Sequence, residues 1–93
     1  MTTFEHTEEN AKGLFIMKID GKNAANMTYS RMDANNVIID HTAATIQGQG
    51  AGKQIVLHMV EWARENKQKV LPLCPFAKGV LAKNLELQDI LRR

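Results

Sequence analysis

Three glycines at alternate positions, Gly48, Gly50 and Gly52, run into Lys53 within the stretch TIQGQGAGK. Each ordered glycine costs conformational entropy, so three together need a reason. The chemistry this spacing allows is anion binding. Backbone N–H groups with no side chain in the way can converge on a phosphate, and a helix that starts there adds its dipole. The other reading is a tight strand-to-helix turn. Counting excludes two phosphate patterns. G-x-x-x-x-G-K-[ST] would need glycine at Gln47 and a hydroxyl residue at Gln54. G-x-G-x-x-G ends on Lys53 when started at Gly48, and on Ile55 when started at Gly50.

Two further side chains carry candidate chemistry. Cys74 is the single cysteine, in LPLCPFAK, so no internal disulfide can form. Pro75 favours a helix start immediately after it, and a thiol at a helix N-terminus is biased toward thiolate. That suits an acyl-accepting nucleophile or an acid for a leaving thiolate. Cysteine is equally a common packing residue. His41, in DHT, should share a strand face with Val37 and Ile39, with Asp40 pointing the other way. It is a candidate for proton transfer or a structural histidine. His6 and His58 have no paired ligand spacing, so no metal is expected. Lys53 and Lys78 are candidates for phosphate contact or plain solvated lysines.

Hydrophobic periodicity supplies the elements that would position these groups. KGLFIMKID, residues 12–20, and NAANMTYSRM, residues 23–32, read as a hairpin turning around Asp20 to Lys22. A short strand near Phe4 to His6 is weakly indicated. DANN at 33–36 is a turn, and VIIDHTAAT at 37–45 is a strand. After the glycines the period changes. Ile55, Val56, Met59, Val60 and Ala63 recur at helical spacing, with Trp62 at the edge of the stripe. KVLPLC at 69–74 reads as a strand, PFAKGVLAKN as a short helix, and LELQDILRR as weak helix or coil. The strands at 37–45 and 69–74 flank a helix, so they should be parallel neighbours joined by a right-handed crossover.

A chain of 93 residues supports one small core, so residues 1–93 are expected to form a single domain. No room remains for a separate substrate domain, and any active site must be open or completed by a partner subunit. A net charge of +2 is too mild to argue for nucleic acid or a membrane surface. The apolar runs are too short to span a bilayer, and the polar start MTTFEHTEEN is unlike a signal peptide. The expectation is a cytoplasmic monomer or weak homodimer.

The glycine stretch also carries a resemblance. Q-G-Q-G-A-G, Gln47 to Gly52, resembles the Q/R-x-x-G-x-G/A signature of the GNAT acetyltransferase superfamily. IDHTAAT, GQGAGKQIV, EWAREN and LPLCPFAK, at increasing positions, are similar to short, single-domain YjdJ-type members. The resemblance implies an α+β fold: a mixed, mostly antiparallel sheet, one β-α-β crossover and two main helices. It implies acetyl-coenzyme A as cosubstrate and transfer of acetyl to an unidentified amine. The alternative is a non-catalytic acetyl-coenzyme A-binding module. The implied cofactor residues are Thr42, Ala43, Ala44 and Thr45 on the strand, where pantetheine would lie between splayed strands. They continue through Gln47, Gly48, Gln49, Gly50, Ala51, Gly52 and Lys53 around the pyrophosphate, and end with Cys74, Phe76 and Lys78. The implied catalytic groups are Cys74 and His41. One departure stands out. Larger members use a tyrosine downstream as acid, and here the only tyrosine is Tyr29, on the hairpin.

Overall fold

The computed structural model describes residues 1–44 and 50–91. The strands are β1 (Thr2–Glu9), β2 (Lys12–Ile19), β3 (Lys22–Arg31), β4 (Asn36–Ala44) and β5 (Lys69–Pro72). Helix α1 (Ala51–Glu65) follows β4, helix α2 (Pro75–Lys83) follows β5, and a 3₁₀ segment spans Leu85–Ile90. The strands lie in sequence order in one five-stranded sheet. The first four are antiparallel, and β4 and β5 pair in parallel across the α1 crossover. The expected α+β architecture is therefore present.

Local sequence explains the connections. The β2–β3 hairpin turns at Asp20 and Gly21, both at positive φ, as a two-residue turn of matching twist requires. Asn10 and Ala11 make the same kind of turn between β1 and β2. Strand β1 runs for eight residues, well beyond the short strand expected. It sits at the sheet edge, and its inward residues Phe4, His6 and Glu8 do not form an apolar alternation. Strand β5 is shorter than expected: Pro72 ends it, and Leu73 and Cys74 leave the ladder.

One face of the sheet carries the core. Phe15, Met17, Met27, Tyr29, Val37 and Ile39 pack under the helical stripe Ile55, Val56, Met59, Val60 and Ala63, all buried. Helix α1 lies on β2 and β3, and α2 adds Ala77 and Leu81 over β4 and β5. Burying a large aliphatic or aromatic side chain contributes about 1.5–3 kcal/mol, so this single interface dominates the stability.

Across β1–β4, Glu8, Gly13, Tyr29 and Ile39 form one row. The Tyr29 ring lies over Gly13, where an added Cβ would come within 2.0 Å of it. Its hydroxyl thereby reaches β1, donating to Glu8 Oε1 at 2.6 Å with His6 Nε2 also 2.6 Å away. Arg31 Nε completes the group at 2.8 Å from Glu8 Oε2.

A β-bulge interrupts the β3–β4 ladder. Thr28 pairs with His41 and Tyr29 with Ile39, leaving Asp40 as the extra residue. Its carboxylate accepts from the Ser30 hydroxyl at 2.6 Å. An inserted residue shifts the alternation by one. Val37 and Ile39 face the helices, as expected, but His41 does not share their face. It lies across from Thr28 on the outer side and is exposed. Thr42, next in the chain, turns inward instead, in the row of Phe15 and Met27.

Candidate active site

The site is built where β4 and β5 part. Their pairing runs from Asn36 and Lys69 to Ile39 and Pro72. The amides of Leu73 and Cys74 then both donate to the Ile39 carbonyl, at 3.1 and 3.3 Å. Beyond that point β4 continues to Ala44 paired only with β3, while the chain after β5 turns into α2. The gap beside β4 therefore opens beyond Ile39 and Pro72, where β5 itself ends.

Helix α1 begins at the open end of this gap. Its cap is Gly50, at φ 67 and ψ 21, a left-handed conformation that favours glycine. Among the described residues no side chain caps the helix, and its first turn contains no acidic residue. The first amides of a helix lack partners within it, so this end offers donors and a positive dipole to an anion. Lys53 stands in the same turn and is exposed. Gly52 has a separate reason to be glycine: an added Cβ would lie 2.7 Å from the Phe76 ring. Phe76 belongs to the first turn of α2, so the starts of the two helices meet here. The Phe76 ring remains 48% exposed, and Leu73, on the other side of Cys74, is 60% exposed. Both apolar groups are available to a ligand.

Cys74 caps α2 in an extended conformation, with Pro75 as the first helical residue. Its carbonyl accepts from the Lys78 amide at 2.9 Å. The thiol is buried. Burial pushes its pKa up, but the amides of Ala77 and Phe76 and the hydroxyl and backbone of Thr42 more than offset that, and the net shift is downward. The Thr42 hydroxyl oxygen is shielded from solvent and makes no hydrogen bond among the described residues. An acidified thiol at a helix N-terminus suits proton donation or nucleophilic attack.

The expected site residues divide as follows. Thr42, Gly50, Ala51, Gly52, Cys74 and Phe76 gather at the split and the two helix starts. Ala43 and Ala44 continue the free stretch of β4. Lys78 is exposed on α2. Thr45, Gln47, Gly48 and Gln49 lie outside the described residues. His41 is separated from Cys74 by the thickness of the sheet. The Thr42 side chain was not expected to face the helices, because alternation counted from Val37 turns it outward; only the bulge brings it in. Tyr29 is not a misplaced acid. Its side chain reaches away from Cys74 toward β1, its proton is committed to Glu8, and burial followed by that bond raises its pKa. His6 and His58 are stacked on Phe15 and Phe4, at 4.2 and 4.0 Å between ring centres.

A sheet split beside two helix N-termini is the architecture of acetyltransferases of the GNAT type. The chain belongs to the GCN5-related N-acetyl-transferase family, whose model matches residues 14–90. It is 35% identical to a GCN5-like candidate N-acetyltransferase from Staphylococcus aureus, over 95% of this chain and 87% of that one, with a TM-score of 0.70. A ribosomal-protein-alanine N-acetyltransferase from Brucella melitensis biovar Abortus 2308 shares the fold, at 15% identity and TM-score 0.67, over 81% of this chain and 62% of that one. So does a GNAT family acetyltransferase from Elizabethkingia anophelis with acetyl-CoA bound, at 13% identity and TM-score 0.66, over 76% and 63%. No curated protein matches the chain.

Proposed function

We propose that the protein is an acetyl-coenzyme A-dependent N-acetyltransferase acting on an amine. The observation that carries this reading is the split between β4 and β5, with an acidified thiol at its inner end and an uncapped helix N-terminus at its mouth. Family membership supports acetyl transfer, and a neighbour of the same fold holds acetyl-CoA.

The residues present suit the cosubstrate. The glycine loop through Gly50, Ala51 and Gly52, with Lys53, would hold the pyrophosphate. The free edge of β4 at Thr42, Ala43 and Ala44 would hold the pantetheine amides, and Phe76 would cover the arm. Acetyl-coenzyme A brings an acetyl group already activated as a thioester. The chain has to orient that group, keep water away from it and manage a proton. Cys74 Sγ would exchange that proton, or carry the acetyl itself.

A second reading, a module that binds acetyl-coenzyme A without catalysis, draws on the commitment of Tyr29 to Glu8 and the exposure of His41 away from the split. Calorimetry tests the shared premise. Acetyl-coenzyme A should bind at micromolar affinity or better, about 8 kcal/mol, and raise the melting temperature. No shift at millimolar ligand would sink both readings. Release of free coenzyme A with a panel of amines separates them: turnover supports the enzyme, and tight binding with no turnover supports the module.

A further inference from the structure

An aliphatic amine is a cation at neutral pH, as lysine is, so an acceptor of that class calls for an anion near the place where it reacts. The elements around the gap offer a single one. Strands β3, β4 and β5, helix α2 and the first turn of α1 contain one acidic residue, Asp40. The lysines on the helices, Lys53 and Lys78, have the opposite charge and suit the phosphates of the acyl donor.

Asp40 owes its place to the bulge. As the extra residue it turns to the face of the sheet away from the helices, where the Ser30 hydroxyl donates to its Oδ2 at 2.6 Å. It is exposed, and among the described residues it forms no ion pair, not even with Lys12, which stands across from Ser30 on β2. It is also the first residue of β4 past the last pair with β5, Ile39 and Pro72, so it marks the point where the gap opens. Across from it, the Leu73 amide donates to the Ile39 carbonyl at 3.1 Å, and the Leu73 side chain is largely exposed. Ile38 and Leu71, paired with each other one step back and only partly buried, add apolar surface on the outer face. The inner face is closed at this level, because Val37, Ile39, Val70, Ala77 and Leu81 are buried between sheet and helices. An amine that is to meet an acyl group lying in the gap therefore comes from the outer face.

We propose that the acceptor is an aliphatic primary amine with an apolar body, its ammonium docked on the Asp40 carboxylate and its body laid on Ile38, Leu71 and Leu73, on the outer face where the gap opens. Asp40 is a positioning residue: it draws the cation to the gap and takes no part in the acetyl chemistry. A carboxylate with one oxygen held by Ser30 keeps the other available to accept from an N–H. The inference names the acceptor class of the proposed acetyl-transfer site. It rests on that reading for the use made of the bound amine, and not for the docking itself.

The test uses the full chain and reads binding rather than turnover. Hexylamine and the uncharged hexanol are titrated into wild type, Asp40→Asn and Leu73→Ala, with and without coenzyme A, and followed by the backbone amide signals in nuclear magnetic resonance. Asparagine keeps an oxygen that accepts from Ser30, so the local structure should hold. In wild type, hexylamine should shift the amides of Ile38, Asp40, Leu71 and Leu73 and bind roughly three-fold tighter than hexanol, the scale of an exposed ion pair. Asp40→Asn should abolish that advantage, and Leu73→Ala should weaken both ligands alike. A hexylamine advantage kept in Asp40→Asn overturns the proposal. So does an absence of outer-face shifts at high-millimolar amine, or unchanged binding of both ligands by Leu73→Ala. Release of free coenzyme A from acetyl-coenzyme A with hexylamine is scored separately. Docking without turnover would count against the enzyme reading and leave the Asp40 result standing.

Discussion

Gly50 and Cys74 carry different burdens at the scale of the residue. Gly50 holds a left-handed conformation, with nothing among the described residues within 4 Å of where a Cβ would stand. Valine there meets no clash, but it resists that backbone by about 1–2 kcal/mol. The helix start would shift and its amides would no longer converge. Gly50→Val should stay folded and lose at least about ten-fold in acetyl-coenzyme A affinity, 1.4 kcal/mol on a calorimetric titration. Wild-type binding by the folded variant would assign the glycine to the turn alone. Cys74→Ala should do the reverse. Binding should survive, because Phe76 and the backbone are retained, while coenzyme A release should fall by about 10²-fold, the scale of a lost acid–base group. Unchanged turnover would leave the thiol as packing. Mass spectrometry after mixing with acetyl-coenzyme A distinguishes the chemistries: an added acetyl group marks a nucleophile, and none marks an acid.

At the scale of the element, the row Glu8–Gly13–Tyr29 ties the edge strand to the core. Gly13 is the one strand position in that row where the Tyr29 ring can cross, so Gly13→Ala should force the ring aside and break its bonds to Glu8 and His6. Overpacking of this kind costs about 1–3 kcal/mol, readable as a lower midpoint in urea with little change in slope. A variant as stable as wild type would mean that the tyrosine does not hold β1. The same elements show what was legible beforehand. The hairpin at Asp20–Gly21, the stripe from Ile55 to Ala63 and the crossover to β5 follow from short-range spacing, and the fold matches them. Strand β1 was only faintly legible because its inward side chains, a phenyl, an imidazole and a carboxylate, meet partners distant in sequence: His58 for Phe4, Phe15 and Trp62 for His6, and Tyr29 for Glu8. The faces of His41 and Thr42 were read the wrong way round for a related reason. Asp40 is bulged by its pairing with β3, and no count along β4 alone reveals an inserted residue. The glycine loop and Cys74 were legible as chemistry, while the inward hydroxyl of Thr42 was not.

At the scale of the whole molecule, the histidines couple stability to pH through the contact between β1 and α1. His58 stacks on Phe4, and His6 on Phe15 with its edge toward Trp62. Burial lowers the pKa of both. For His6, Glu8 opposes that shift while Arg31 and His58 add to it; for His58, Glu65 and Glu61 oppose it. The unfolded chain therefore binds protons near the ordinary histidine value of 6.5 that the folded chain still refuses. Stability is fully present above that pH and is lost as pH falls through 6.5 toward the lowered folded values. A second loss follows below 4.5, because the bond from Arg31, then that from Tyr29, holds the Glu8 carboxyl below its usual value, and protonating it breaks the tie to β1. The melting temperature should therefore fall steadily from pH 7.5 to pH 5.5. His58→Phe keeps a ring against Phe4 but removes one titrating group, so it should flatten that slope by about half. The variant must melt at or near the wild-type temperature at pH 7.5 for the comparison to hold. An unchanged slope in such a variant would mean that protonation of His58 is not what loosens the edge strand, and would leave His6 as the sensitive group.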